Sequence, residues 1–239
     1  MLKKIKENIL KRTFIYKIYR YFKYKNHPNR SFAAYGEEIL LAKIFSKKTK
    51  GFYVDVGALH PVNGSVTYRL YEKGWNGLNL DLTFENIKLL KFFRKKDISI
   101  QMAVSSSSGH INSYIFDDGS GLNTLEKKWA DKWKKIIKKK YKTVKLPKTT
   151  LNNLVNKYNI PKNFELLNID VEGHELEVLK GINLKKYRPK IITVEIHVKK
   201  TSEIFKSPVY KVLEKNKYDL ISHYGITSFF KASEFICDL

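Results

Sequence analysis

The chain has 239 residues, of which 43% are hydrophobic and 29% are charged, with 12 Gly and 6 Pro. This composition excludes a disordered or collagen-like chain, and the length predicts one large domain with an extension. Lys and Arg total 46 against 23 Asp and Glu, and the net charge of +23 indicates anionic partners such as phosphates, nucleic acid or acidic lipid.

The first thirty residues form a basic segment with ten basic residues and Glu7 as its one acid. Apolar residues recur mostly every three to five positions, which predicts an amphipathic helical extension over residues 1–30, ending near His27-Pro28. Such a helix can lie on an anionic membrane, or it can pack on the domain or on a second copy of the chain in a homo-oligomer. The apolar positions are Leu2, Ile5, Ile9, Phe14, Ile18, Tyr21 and Phe22.

Residues 31–239 are predicted to form the main domain. Short apolar runs alternate there with helical patterns, which predicts a parallel sheet with crossover helices. A hairpin around Gly225 is predicted to follow, so the simplest architecture is a doubly wound α/β sheet with an antiparallel edge. The predicted strands are 51–56, 77–81, 98–104, 164–170 and 191–197, the helices 64–73, 84–95 and one ending near 180, and the hairpin strands 218–223 and 226–231.

An insertion of roughly sixty residues separates the third and fourth predicted strands, and about residues 118–148 of it are predicted to be a lysine-rich helical region. Two hypotheses fit this region: a solvated helix whose tryptophans pack on the sheet, or a cap over an active site that attracts an acidic substrate. The apolar residues at helical spacing are Trp129, Trp133, Ile136, Ile137 and Tyr141.

Two strand ends predict a nucleotide-like ligand. The first strand ends in Asp55-Val56-Gly57, where glycine lets a ligand approach the backbone, and the second ends in Asp81, which can accept both ribose hydroxyls of an adenosyl group. The chain lacks both the G-x-G-x-x-G fingerprint and a P-loop, which argues against NAD and ATP. Asp55 and Asp81 can instead be helix-capping residues.

Acids and a histidine cluster at the next two strand ends. Asp170 and Glu172 follow the fourth strand, and Glu195 and His197 alternate with Ile196 on the fifth, so we expect these four side chains to converge in one cleft. Glu175 and Glu177, on the helix that follows, are expected to form exposed pairs with lysines.

In these segments the sequence resembles the FkbM-type S-adenosylmethionine-dependent methyltransferases, over about residues 35 to 200. The departure is Pro61, where many members have glycine, although one branch is similar in carrying histidine-proline. The matching segments are 52–61, 65–68, 72–77, 167–175, 178–181, 187–190 and 194–197.

The resemblance implies a class I methyltransferase fold, a seven-stranded Rossmann-like sheet, and methylation of hydroxyls of sugars and related natural products. It implies S-adenosylmethionine as cofactor. The carboxylate oxygens at the strand ends could also hold a divalent cation such as Mg²⁺ that acidifies a sugar hydroxyl, and base catalysis is slightly favoured over this alternative. The expected cofactor-binding residues are Asp55, Gly57, Ala58, His60 and Asp81, and the expected catalytic residues are Asp170, Glu172, Glu195 and His197.

The function predicted is O-methylation of a sugar hydroxyl in a surface glycan or its nucleotide- or lipid-linked precursor, with an acidic or phosphorylated acceptor expected from the charge. The alternative is a basic nucleic-acid-binding protein or an RNA methyltransferase, motivated by the lysines and aromatics of residues 127–142. A binding module does not need the acid and histidine cluster, so nucleic acid is the weaker hypothesis.

The cysteine content and hydropathy bear on the compartment. The single cysteine, Cys237, excludes an intramolecular disulfide and favours a reducing environment. The sequence has no apolar run of 18 residues and no secretory signal pattern, so we expect a cytoplasmic protein, with peripheral contact at the inner membrane face as the open alternative.

Overall fold

The structure is a computed structural model that describes residues 13–25 and 31–236. Its helices are α1 (Phe14–Lys25), α2 (Glu37–Ile44), α3 (Tyr68–Glu72), α4 (Phe84–Phe93), α5 (Lys127–Ile137), α6 (Leu151–Lys157), α7 (Glu175–Lys180) and α8 (Pro208–Lys215), with a 3₁₀ turn at Thr201–Lys206. Its strands are β1 (Phe52–Val56), β2 (Asn76–Asp81), β3 (Ile98–Gln101), β4 (Ala103–Val104), β5 (Gly109–Ile115), β6 (Lys142–Thr149), β7 (Leu166–Ile169), β8 (Ile191–Glu195), β9 (Tyr218–Tyr224) and β10 (Thr227–Ala232).

Seven strands form the central sheet, in the order β3-β2-β1-β7-β8-β10-β9. Strands β3, β2, β1, β7 and β8 pair in parallel, and β10 runs antiparallel to both β8 and β9. The predicted mostly parallel sheet and the closing hairpin are confirmed. The chain order reverses at β1, between β2 and β7, so the carboxyl ends of these strands frame a crevice.

Both faces of the sheet are covered by helices, which explains why its strands are apolar on both sides. Val54 and Val56 of β1 pack in a core with residues of α6, α7 and α8. Tyr53, between them, packs with residues of α2 and α3 on the other face. The alternation along β1 therefore serves two cores, as in a doubly wound α/β sheet.

The predicted third strand, residues 98–104, is two strands that belong to different sheets. Strand β3 pairs with β2 in the central sheet, whereas β4 pairs with β6 in a second, three-stranded sheet ordered β4-β6-β5. The chain changes partners at Met102, whose N–H donates to the carbonyl of Asp81. The sequence of residues 98–104 did not reveal this change, because both halves are equally suited to a strand.

The insertion is also less helical than predicted. Helix α5 ends at Ile137, where Lys138 adopts a left-handed conformation with φ 51°. Residues 142–149 form strand β6, which pairs antiparallel with β5. Cross-strand pairing thus overrides the continuous lysine-rich pattern that predicted one long helical region.

Helix α1 packs on α4. The ring of Tyr21 stacks on that of Phe93 with centroids 3.7 Å apart, and the Lys17 ammonium lies 3.0 Å from the Glu85 carboxylate.

Some sequence predictions fall outside the described residues: the apolar positions Leu2, Ile5 and Ile9, the helix end at His27-Pro28, and Cys237. Within residues 13–25 and 31–236, none of the helices combines the length and the apolarity that crossing a bilayer requires.

The predicted helix over 64–73 is shorter, because residues 60–67 form a loop that Arg94 organises. The Arg94 guanidinium is fully buried and donates to the carbonyl of Pro61 and the hydroxyls of Ser65 and Thr67. Sequence reasoning missed Arg94, since an arginine at a helix end is usually exposed. Its role here is to shape the loop that follows β1.

Candidate active site

The turn after β1 requires glycine at position 57. Gly57 has φ +90°, and a Cβ atom there would lie 1.7 Å from the carbonyl oxygen of Asp170. The Gly57 N–H donates to the carbonyl of Leu80 at 2.8 Å. Gly57 therefore joins the ends of β1, β2 and β7, the three strands that frame the crevice.

We expect Gly57→Ala to destabilise the protein far more than Gly74→Ala. Both glycines have positive φ, +90° and +93°, but a Cβ at Gly74 has nothing within 4 Å. Backbone strain at such positions costs about 1–3 kcal/mol, and only Gly57→Ala adds the collision with Asp170. Urea unfolding of both variants measures the difference. Equal losses of unfolding free energy would contradict the close approach.

A cleft opens beyond the carboxyl ends of β1, β2 and β7 and encloses about 570 Å³, including its open mouth. Its walls combine polar groups with an apolar floor from β2, β4 and the insertion. The lining residues include Gly57, Leu59, Asp81, Leu82, Met102, Val104, Ser120, Leu125 and Asp170.

Asp81 is held rigidly at the wall of this cleft. Its Oδ1 accepts hydrogen bonds from the backbone and hydroxyl of Thr83 and from the amide of Asn86, while its Oδ2 accepts one, from the backbone of Leu59 at 3.0 Å. Burial raises the pKa of Asp81 above its usual value, and these hydrogen bonds oppose that shift. Since Oδ2 has one donor against three for Oδ1, it is the oxygen with capacity for a ligand hydroxyl.

Asp55, predicted to bind the cofactor, is not among the residues that line the cleft. It is 1% exposed, and its two oxygens accept from the hydroxyl of Thr67 at 2.7 Å and the amide of Asn168 at 2.9 Å. Thr193 in turn donates to Asn168 at 2.7 Å. Asp55 is thus the centre of a buried polar network that links β1, β7 and β8. Burial raises its pKa, although its hydrogen bonds act in the opposite direction.

Ala58 and His60 also lie apart from this cleft. Ala58 is buried against Ile87 and Leu90 of α4. His60 lines a second, larger cleft, and its Nδ1 accepts from the backbone of Val62 and Asn63. Burial and the nearby cations lower the pKa of His60 to about 3, which keeps the ring neutral. Of the predicted cofactor residues, Gly57 and Asp81 are the two that line the first cleft.

The predicted catalytic residues do converge. Glu195 ends β8, and its Oε2 lies 3.1 Å from Nε2 of His197. The ligand atoms of Glu172, Glu195 and His197 all lie within 4.8 Å of one another. Asp170 connects this cluster to the first cleft, since it lines the cleft and follows β7 directly. Hereafter these three residues, Glu172, Glu195 and His197, are the acid–histidine cluster.

The charges and burial at this site raise the pKa values of Glu172 and His197 in the cluster and of the adjacent Asp170. Burial and the charge of Glu195 raise the pKa of Glu172 to about 7, and burial with the charges of Glu195 and Glu172 raises that of Asp170. Burial acts to lower the pKa of His197, but the hydrogen bond and charge of Glu195 outweigh it and raise that pKa. Carboxyls with raised pKa values beside a histidine are typical of sites that move protons.

We expect Glu172→Gln to stabilise the protein increasingly as the pH rises. The folded protein binds the Glu172 proton more tightly than the unfolded chain does, so wild-type stability falls as pH rises from about 4.5 to about 7. The variant loses this penalty, on the order of 1–3 kcal/mol, and a glutamine oxygen can still accept from Trp133. Denaturant unfolding at several pH values measures it, with the exposed Glu214→Gln as control. A constant difference between wild type and variant would contradict the raised pKa.

Helix α5 lies over the cluster. The indole N–H of Trp133 donates to Glu172 Oε2 at 3.1 Å, and the ring of Trp129 lies 4.5 Å from that of His197. A Cβ at Gly173 would lie 2.1 Å from the Trp129 ring. The tryptophans contact Glu172 and His197 of the cluster, which is the geometry expected of a cap. The helical spacing of the two tryptophans was the sequence signal, but it did not identify their partners.

The loop between β7 and α7 anchors this cap. Thr124 donates its hydroxyl hydrogen to the carbonyl of Glu172 at 2.7 Å, and Glu126 lies 2.7 Å from Nδ1 of buried His174. Glu175, expected to pair with a lysine on the surface, is instead 5% exposed and accepts from the backbone of Gly173. Glu177 does form the expected pair, with Lys180 at 2.6 Å. Helix α5 and the loop between β7 and α7 are therefore one packed unit.

The sheet order, the glycine turn after β1, and the acid at the end of β2 together define a class I methyltransferase fold with a Rossmann-like sheet. Residues 55–230 match the family described as the methyltransferase FkbM domain. The chain belongs to this family. Among curated protein sequences, none matches the chain.

The solved structures that are similar to the chain include two methyltransferases. One is a methyltransferase FkbM from Methylobacillus flagellatus KT, with 12% identity and a TM-score of 0.48, covering 77% of this chain and 44% of that one. The chain therefore spans less than half the length of that relative. The other is a TehB-like SAM-dependent methyltransferase from Corynebacterium glutamicum ATCC 13032 Kitasato, with 10% identity and a TM-score of 0.44, covering 92% of this chain and 100% of that one.

Proposed function

We propose that the protein is an S-adenosylmethionine-dependent O-methyltransferase that acts on a sugar hydroxyl of a surface glycan or of its nucleotide- or lipid-linked precursor. The observation that carries this proposal is that Asp170 lines the first cleft and is electrostatically coupled to Glu195 and Glu172 of the acid–histidine cluster. A cofactor site and a set of proton acceptors thus adjoin. Membership of the FkbM family supports the reaction type.

The first cleft has the features that the cofactor needs. Asp81 would accept the ribose hydroxyls, the Gly57 turn admits a ligand close to the backbone, and Leu82, Met102 and Leu125 offer apolar walls for an adenine ring. When bound, S-adenosylmethionine supplies a methyl group activated by the adjacent sulfonium charge. The chain's own task is to hold an acceptor oxygen in line and to remove its proton.

His197 is the proton acceptor that we favour. In the tautomer whose Nε2–H donates to the Glu195 carboxylate, Nδ1 of the neutral ring carries no hydrogen and can accept the hydroxyl proton. Trp129 and Trp133 contact the cluster, and an indole face also suits the C–H face of a sugar ring. This is the physical basis for proposing a sugar rather than a small apolar acceptor.

The acid–histidine cluster also offers two carboxylates and an imidazole to a divalent cation, a donor set that Mg²⁺ or a transition metal can use. A bound cation would acidify an acceptor hydroxyl and replace base catalysis. Activity that a chelator abolishes and added Mg²⁺ restores would favour the cation and end the assignment of His197 as base.

Mass spectrometry of surface glycans tests the proposed acceptor. Cells that carry the wild-type gene should show methylated sugars, and cells that carry Glu195→Gln or lack the gene should show the same glycans without the methyl group. Identical glycans in all three strains would contradict the proposal. Methylated RNA in their place, lost in the variant, would favour the nucleic-acid alternative.

A further inference from the structure

Helices α1 and α4 together present an exposed surface in which large apolar side chains alternate with lysines. The apolar members are exposed by 50% to 77%, far more than such side chains usually are. We name this the α1–α4 surface. It consists of Ile15, Tyr19 and Phe22 of α1, of Phe84, Lys88, Lys91 and Phe92 of α4, and of Lys95, which follows α4.

The apolar side chains of α1 lie on one side of the helix. Ile15, Tyr19 and Phe22 are spaced i, i+4, i+7, which places them within one narrow stripe. The adjacent side of α1 is fixed to α4, through the stack of Tyr21 on Phe93 and an edge contact of Phe14 with Phe92 at 5.6 Å. The stripe is therefore held outward by packing on the folded domain.

The charges of the surface have one sign. Lys88 and Lys91 of α4 and Lys95, just after the helix, are exposed, and the acid beside them, Glu85, is paired with Lys17. In sequence, α1 lies within a segment, residues 1–30, that contains ten basic residues and a single acid. Exposed aromatic and aliphatic side chains flanked by lysines match the boundary of an anionic bilayer, where rings enter the headgroup layer and ammonium groups meet phosphates.

We propose that the α1–α4 surface docks the protein on an anionic lipid bilayer. Other residues of α1, Tyr16, Lys17 and Arg20, line the second cleft, which shares Leu59 and Ser120 with the first. A docked α1 would therefore bring the mouth of the second cleft close to the lipid headgroups. Resting on the proposed function, this arrangement favours a lipid-linked precursor as acceptor over a nucleotide-linked one.

Sedimentation of the full chain with vesicles tests the docking. We expect binding to vesicles of phosphatidylglycerol with phosphatidylcholine, weak or no binding to phosphatidylcholine alone, and loss of binding at high salt. The variant Ile15→Ser, Tyr19→Ser, Phe22→Ser should bind at least roughly tenfold more weakly, because each side chain loses apolar burial in the interface. A second variant, Lys88→Glu, Lys91→Glu, Lys95→Glu, should lose binding through charge alone.

The matched control replaces three equally exposed apolar residues elsewhere, Phe205→Ser, Tyr224→Ser and Ile236→Ser, and should bind as wild type does. Unchanged vesicle binding in both test variants, or no binding of wild type to the anionic vesicles, would overturn the proposal. So would a concentration-dependent dimer that the serine variant abolishes, since a second copy would then cover the surface. Cofactor binding, measured on the same samples, reports on folding and on the proposed function separately.

Discussion

Replacing His197 with Ala, or Glu195 with Gln, should lower methyl transfer by roughly 10²- to 10⁴-fold, the usual contribution of a general base. The affinity for S-adenosylmethionine should stay nearly unchanged, because neither residue is among those lining the first cleft. Single-turnover rates and cofactor calorimetry on the same variants separate the two quantities. His110→Ala, an exposed histidine on β5, is the control for the loss of an imidazole.

The pH profile distinguishes a proton acceptor from a merely structural histidine. The wild-type rate should rise with pH through the raised pKa of His197, since the neutral ring is the active form. Glu195→Gln removes the hydrogen-bonded carboxylate that raises this pKa, so its residual activity should rise at a lower pH than that of wild type. Full activity of both variants, without a chelator effect, would show that the acid–histidine cluster does not perform the chemistry.

Asp81→Ala should weaken S-adenosylmethionine binding roughly 10- to 150-fold, because a hydrogen bond to a charged group contributes about 1.5–3 kcal/mol. Asp81→Asn keeps the shape of the side chain and should lose a similar share of affinity, since an amide NH₂ in place of Oδ2 accepts neither from the Leu59 N–H nor from a ribose hydroxyl. Isothermal calorimetry with the cofactor and its demethylated product measures both variants.

Asp219→Asn, at an exposed aspartate of β9, is the control and should bind as wild type does. A folded Asp81→Asn protein with wild-type affinity would remove Asp81 from the cofactor site. Because Asp81 also orders Thr83 and Asn86, the unfolding midpoint of each variant needs to be measured alongside its affinity.

The order of apolar runs and helical patterns was sufficient to predict the central sheet, because local periodicity and the rule of short crossover connections restrict the topology. The strand ends also located Gly57, Asp81 and the four catalytic candidates at one edge. Parallel strands bring their carboxyl ends together, so residues that are distant in sequence share that edge. The direction in which each side chain points does not affect this placement.

Tertiary structure alone decided which side chains face a cleft. Asp55 and Asp81 lie at the ends of neighbouring strands with similar sequence signals. The oxygens of Asp55 accept hydrogen bonds from Thr67 and Asn168, whereas Asp81 lines the cleft. The two hydrogen-bond partners of Asp55 lie 12 and 113 residues away from it in the sequence. The partner exchange at Met102 and the position of Trp133 over Glu172 are likewise long-range contacts. A local pattern encodes the element on which a residue lies, whereas its partners depend on the packing of the whole chain.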